Sequence, residues 1–519
     1  MGMTEKQADG EPEQADDTPK SEPSFGFRIR AAIHKRFPRL IEHPSVAGFR
    51  AYHVTRDPEQ NEKTRPPHDE FVDFRCIWAV ELYTPAHMEA LLSSFQKLGW
   101  DRDDSVGRDG PADWIQRLRE GQYGGGWYNF GLVRRANSSN KVGIYDRVAP
   151  LPPNVEYASG ELFSLTSSLT CIVMGFIFEE DFASRFDHAL RTDRKTYLTP
   201  LRRGHRVIDP ETQKADHINQ IRADSRHLAG EWFSKHLPGL FASGLLSGEF
   251  PTCEFVALRK AKPFPVRSND GNLPPSYLSI LDMDVNLDSW FWSEMPGLKF
   301  SWPPKRTKRN HYHSILAICE TEFDDKILKT WGGNNRFTQI SYVDQMIKGL
   351  LSRWAILPML AGYTKHVNAI RDSAIIRNNA GSDPLKILRS LGQHVSYNID
   401  IAAVTSELIP YVNERSLFSR EINQFKLCDA ERNQDEEISI SKGLAFQINE
   451  QATWLQKTDQ SLRDHLSQYG SLLGATENIR LQRILTAFTI LIMILTVIMV
   501  WDELKNTVFL STILNWITK

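Results

Sequence analysis

The chain has 519 residues, 62 of them Lys or Arg and 64 Asp or Glu, for a formal net charge of −2. Apolar residues make up 41% and charged residues 24%, an ordinary globular balance with enough chain for several structural units and a sizeable core. The even charge excludes a nucleic-acid scaffold, so no nucleic acid is expected as a partner, and a mean hydropathy of −0.39 excludes a polytopic membrane protein.

Residues 1–24 are rich in Glu, Asp, Pro and Gln and hold no apolar run. A disordered tail is expected there, with no signal peptide. Lys6 also stands where a myristoylation signal needs Ser or Thr.

Residues 25–322 read as an α+β domain, placed in the cytoplasm by the argument below. VDFRCIWAVELYT puts Val72, Phe74, Cys76, Trp78, Val80 and Leu82 on one face, the alternation of a half-buried strand. Further strands are expected at 127–134, 169–178, 253–258, 277–287 and 311–319. Helical patterns fall at 85–98, 181–190 and 218–235, and loops rich in Gly and Pro separate these elements. The five cysteines (Cys76, Cys171, Cys253, Cys319, Cys428) form no C-x-x-C pair and read as buried small hydrophobes of a reducing compartment.

Residues 323–413 are expected to be helical, with breaks near Pro358 and at 378–383. Residues 414–483 read as long stalk helices. Ile448, Leu455, Leu462 and Tyr469 recur every seven residues, and Ala452, Leu466 and Leu473 follow three of them by four. That is an a/d seam, suited either to a coiled-coil stalk in a homo-oligomer or to packing on the chain's own domain.

Residues 484–501, ILTAFTILIMILTVIMVW, carry no charge and as a helix reach roughly 27 Å, so a transmembrane helix among membrane lipids is expected. Lys457, Arg463, Arg480 and Arg483 precede it, whereas only Lys505 and Lys519 follow. The positive-inside rule then predicts a single pass with the large N-terminal part in the cytoplasm. Thr486, Thr489, Met493 and Thr496 share one helical stripe, suited to a pore or a helix contact, unless each hydroxyl only bonds the preceding turn. In the last segment, 502–519, Ser511, Asn515 and Thr518 oppose Phe509, Leu510, Ile513, Trp516 and Ile517. At this length an interfacial amphipathic or re-entrant helix is expected.

A search for catalytic motifs finds no Walker A loop, G-x-S-x-G elbow, H-E-x-x-H or EF-hand loop, and no catalytic residue is assigned. Gly124-Gly125-Gly126 leads into a strand rather than a helix and reads as a turn. In LDMDVNLD, strand alternation would put Asp282, Asp284, Asn286 and Asp288 on one face. Asp282, Asp284 and Asp288 are thus candidate ligands for a divalent cation, the one cofactor the sequence suggests; the other reading is a solvated strand face. His311 and His313 could likewise point the same way. Basic clusters at Arg202, Arg203, His205 and Arg206, at Arg259, Lys260 and Lys262, and at Lys305, Arg306, Lys308 and Arg309 are candidates for an anionic ligand or solvated loops.

With ENIRLQRILTAFTILIMIL at its centre, the last hundred residues resemble the CorA-like family of divalent-cation channels. The resemblance implies a cytoplasmic α/β domain feeding a stalk helix that becomes the first membrane helix, and it implies ion transport. Trp501-Asp502-Glu503 stands where that family's Gly-Met-Asn signature would be sought, so no filter residue carries over. The expected function is a membrane-anchored homo-oligomer whose cytoplasmic head senses a ligand or partner and acts through the stalk on the membrane segment. The alternatives are a tail-anchored enzyme and a cytoplasmic scaffold.

Overall fold

A computed structural model describes residues 25–37, 46, 51–101, 110–121, 126–136, 146–200, 205–244, 249–265, 274–284, 289–302, 312–323, 329–330, 332–379, 399–420, 422–428, 439–506 and 508–518. The N-terminal tail therefore lies outside the described residues. The chain forms two compact units, a small one from residues 1–65 with 191–216 and a large one from the rest.

The small unit holds α1 (Phe25–Arg36), α2 (Asp57–Lys63) and the hairpin of β6 (Tyr197–Pro200) with β7 (His205–Ile208), named in the strand order given below. Buried polar bonds knit it. Asp57 accepts from the Thr196 hydroxyl at 2.5 Å, and the Lys214 ammonium reaches Thr64 Oγ1 at 2.9 Å and the Asn61 carbonyl at 3.3 Å. Burial pushes Lys214 down to about 8.

The large unit is built on ten strands. They are β1 (Val72–Tyr83), β2 (Gly126–Arg134), β3 (Arg147–Val148), β4 (Val155–Thr166), β5 (Leu169–Phe178), β8 (Thr252–Leu258), β9 (Ser289–Trp292), β10 (Met295–Ser301), β11 (His313–Cys319) and β12 (Phe425–Leu427). The sheet order is β12-β9-β10-β11-β8-β1-β5-β4-β2-β3, antiparallel except for the β8/β11 and β2/β3 pairs. Expected strands at 127–134, 169–178 and 253–258 match closely.

Helices cover both faces. One layer comes from α3 (Met88–Leu98), α4 (Pro111–Arg119), the short α5 (Glu180–Ala183), α6 (Arg185–Arg191) and the 27-residue α7 (Pro210–His236). Aromatic contacts tie it to the sheet: Phe74 stacks on Phe186 at 4.6 Å, and Trp232 meets Phe176 edge-on at 5.4 Å. Such pairs add roughly 0.5–1.5 kcal/mol each beyond their buried area. After the single turn α8 (Ser276–Ile280), the second layer follows: α9 (Arg336–Trp354), α10 (Ile356–Asn379), α11 (Ile399–Asn413), the single turn α12 (Arg415–Phe418) and the start of α13 (Ile440–Asn506). Trp78, Val173, Phe255 and Leu316 from the sheet share one core with Val343, Leu360, Val404 and Ile448 from these helices. The chain ends in α14 (Val508–Ile517).

Three expectations change here. β1 is buried along its whole length rather than half-buried, because helices lie on both sides. Two of its charges pair inside the protein: Arg75 bonds Asp73 at 2.8 Å and also reaches Gln339 and Glu320, whereas the buried Glu81 accepts from the backbone N–H groups of Phe241 and Ala242. The helical stretch 323–413 shares the core of the sheet, and the stretch read as stalk supplies an edge strand, β12. Of the strand expected at 277–287, the described residues 277–284 form α8 and a turn instead, with Asp282 at φ 55°, and 285–287 lie outside the described residues. Leucine alternating with aspartate satisfies a turn of helix followed by a left-handed bend as readily as a strand, and Asp tolerates that bend.

The break before Pro358 arises at Ala355, which places the proline in the first turn of α10, where its missing N–H costs nothing. The tight β4–β5 turn is clamped from α11. Both Ser167 and Ser168 hydroxyls and the Ser168 N–H donate to the Glu407 carboxylate at 2.6–2.8 Å. Five free cysteines, four of them buried, agree with small apolar fillers.

Candidate functional site

The densest buried charge lies between α7 and β8. Successive strand residues face opposite ways, so β8 sends Cys253 and Phe255 into the shared core and Glu254 toward α7. There Arg222 grips Glu254 with both arms, Nε to Oε2 at 2.9 Å and Nη2 to Oε1 at 2.7 Å. The same guanidinium donates to Asp282 Oδ2 at 2.9 Å and to the Leu281 carbonyl at 2.6 Å. His313 Nε2, at the start of β11, stands 3.3 Å from Glu254 Oε2. Burial alone would raise the Glu254 carboxyl, but the Arg222 charge, helped by His313, overrides it and holds the group down at about 2. Fixed forks of this kind suit guanidinium–carboxylate pairing and leave Glu254 ionised across the physiological range.

A cleft of about 750 Å³ opens beside this network, lined among the described residues by Arg226, His227, Gly230, Glu231, Ser234, Lys235, Glu249, Phe250 and Tyr312. Arg226 stands one turn beyond Arg222 on α7, and Tyr312 precedes His313. The lining mixes both signs of charge, and His227 meets Glu231 at 3.2 Å.

The network has a measurable pH signature. Burial lowers the His313 pKa from its ordinary 6.5, against the pull of Glu254. The unfolded chain then binds more protons below pH 6.5, so stability is full above that value and falls as acid is added. Between pH 7.5 and 5.5 the His313 contribution reaches at most about 1.4 kcal/mol per pH unit. His313→Gln is expected to flatten the fall in melting temperature over this window. An unchanged slope would show that His313 is solvated.

Of the sequence-predicted metal residues, Asp282 and Asp284 lie among the described residues, and each already has a partner. Asp282 is taken by Arg222, and Asp284 accepts from the Ser279 hydroxyl at 3.2 Å. Asp288 and His311 lie outside the described residues. Among the described residues, no group of three His, Cys, Asp or Glu side chains is gathered as for a metal ion. Of the basic clusters, Lys260 pairs with Asp69 and Lys262 with Glu322, while the backbone N–H groups of Arg259, Lys260 and Ala261 donate to the buried Glu70. This cluster closes a loop of the fold. Arg202, Arg203, Lys305, Arg306, Lys308, Arg309, Gly124 and Gly125 lie outside the described residues, and Gly126 opens β2, the strand expected after it.

The C-terminal apolar helix is the other feature. α13 runs 67 residues without a break, about 100 Å of helix. The first part of its seam packs on the chain's own domain, with Ile448, Ala452 and Leu455 buried in the shared core and Leu462 at its edge; the side chains of Leu466, Tyr469 and Leu473 lie outside those described. Farther along, residues Asn478–Trp501 form a candidate span of 24 residues, none of them buried. At about 36 Å this helix exceeds the hydrocarbon thickness of a bilayer. Thr486, Thr489 and Thr496 each donate to the carbonyl four residues back at 2.7–2.8 Å, so the backbone satisfies all three hydroxyls; Met493 is exposed on the same stripe. Ser511 and Asn515 sit on α14, where Trp516 is exposed. Comparison with protein-family models, curated proteins and solved structures finds no match.

The Arg222 network escaped sequence reasoning because its members lie far apart, Arg222 and Glu254 by 32 residues and Arg222 and Asp282 by 60. The only local hint was an acidic residue, Glu254, at the centre of the otherwise apolar run TCEFVAL.

Proposed function

We propose that the protein is a membrane-anchored sensor or effector, in which a cytoplasmic head takes up a polar, anion-bearing ligand or partner and acts through α13 on the bilayer. The observation that carries this reading is the continuity of α13. One helix begins inside the core of the head and ends as an exposed apolar rod long enough to cross a membrane. Helix bending without a break is costly, so a shift of the buried end moves the span with it. β8 supports a route from cleft to helix, since Glu254 lies on its one face and Phe255, in the core shared with Ile448, on its other.

A homo-oligomer completes the reading, because the one candidate span among the described residues encloses no path by itself. Purified full chain in detergent, measured by light scattering, is expected to exceed the monomer mass. A clean monomer would remove the oligomer and any pore. The same helix continuity favours a second reading, a CorA-like cation channel. Full chain in liposomes loaded with a Mg²⁺-sensitive dye separates the two: flux supports the channel, and sealed vesicles leave the sensor or effector reading.

A further inference from the structure

The helix α1, FGFRIRAAIHKR, belongs to the small unit and buries none of its described side chains. A helix of 12 residues is marginal in water on its own, so something must cover its apolar stripe for it to persist. At 100° per residue, Phe25, Ile29 and Ile33 fall on one sector, and Phe37 continues it past the helix end. Their relative exposures are 81%, 44%, 37% and 49%. Arg28 and Lys35 flank that sector on one side and Arg30 on the other, while Arg36, in the last turn, falls within the sector and ends the apolar stripe on that line. The helix holds no Asp or Glu.

An apolar stripe bordered by Lys and Arg is the pattern of a helix that lies in the plane of a membrane surface. Its cations each gain about 1 kcal/mol close to anionic headgroups. Protein partners fit less well, since the flanking charges would need a matching acidic rim on both sides of a narrow groove. We infer that α1 is an interfacial helix that docks on the surface of an anionic bilayer, giving the chain a second membrane attachment besides the span. The inference rests on the membrane-anchored reading above.

The test uses full chain with Cys428→Ser, reconstituted in lipid nanodiscs that contain brominated phospholipids. A fluorophore is placed at Ala32→Cys in one sample and at Leu491→Cys in another. In nanodiscs with phosphatidylglycerol, both labels are expected to be quenched several-fold. In pure phosphatidylcholine, at high salt, or with Arg28→Glu, Arg30→Glu and Lys35→Glu together, the Ala32 label is expected to brighten while the Leu491 label stays quenched. An unquenched Ala32 label beside a quenched Leu491 label would overturn the inference and leave the span in place. An unquenched Leu491 label would instead overturn the anchored reading. Quenching of Ala32 that ignores lipid charge and the charge reversals would refute the anionic surface. A label that responds to protein concentration in detergent alone would assign the stripe to a second copy of the chain.

Discussion

Leu491→Arg combined with Leu495→Arg is expected to move the protein from the membrane pellet to the supernatant after alkaline extraction. The eleven Ile, Leu, Val and Phe residues between Ile484 and Val500 contribute roughly 0.3–0.6 kcal/mol each to insertion, about 5 kcal/mol together. Each central arginine costs about 3 kcal/mol and also removes one leucine, so two of them reverse the sign. The shift of about 7 kcal/mol corresponds to a change in partition on the order of 10⁵-fold. Both positions lie on the exposed apolar surface of α13, 52% exposed at each, and neither packs against the head. The head of the double variant is therefore expected to keep its melting temperature. Retention in the pellet would mean that the head, rather than the helix, holds the membrane.

The second large effect belongs to Arg222→Met. Removing the guanidinium leaves Glu254 fully buried beside a His313 that burial keeps neutral at pH 7, and Asp282 without its partner. Breaking one side of a buried ion pair costs about 3–5 kcal/mol, enough to lower the melting temperature by on the order of 10 °C. The loss should ease at low pH, where Glu254, freed from Arg222, takes up a proton far more readily than its native value of about 2 allows. Pairing the change with Glu254→Leu removes the orphaned charge and is expected to restore most of the loss, because an apolar pair of similar volume replaces an ion pair at little cost. A drop below about 1 kcal/mol for the single variant would place Arg222 in contact with water.

How far the fold was legible depends on whether its signals are local. β5 was read to the residue, since LTCIVMGFIF is a short apolar run between turn signals. The neighbouring β4 was missed, because Ser159 and Gly160 interrupt its apolar pattern. Gly160 is there for packing: a Cβ would meet Met174 Sδ at 2.4 Å, a requirement visible only once β5 lies beside it. The seam at Ile448–Leu455 was legible as a pattern, but its partner was not. A seven-residue repeat fits a second copy of the helix as well as α10 and α11 of the same chain.

The candidate site was the least legible part. Asp282 stood out by its alternation with leucines, yet its role is set by Arg222, sixty residues earlier in the chain. Lys260 and Lys262 formed a basic cluster in sequence and are spent on Asp69 and Glu322 in space. Charge runs describe composition along the chain, whereas pairing depends on contacts that only the tertiary fold creates. The apolar C-terminal helix was the exception, because its signal needs no partner: a span at 484–501 was expected, and the structure extends the candidate span back to Asn478.

The claim that matters most is that one unbroken helix joins the core of the head to the bilayer. Spin labels at Lys457→Cys and Met499→Cys, in full chain with Cys428→Ser diluted with unlabelled protein in nanodiscs, test it by double electron–electron resonance. An unbroken helix sets 42 residues at about 1.5 Å each, a narrow distribution near 63 Å. A broad distribution centred well below that distance would show a hinge or break between head and membrane, and would contradict the account.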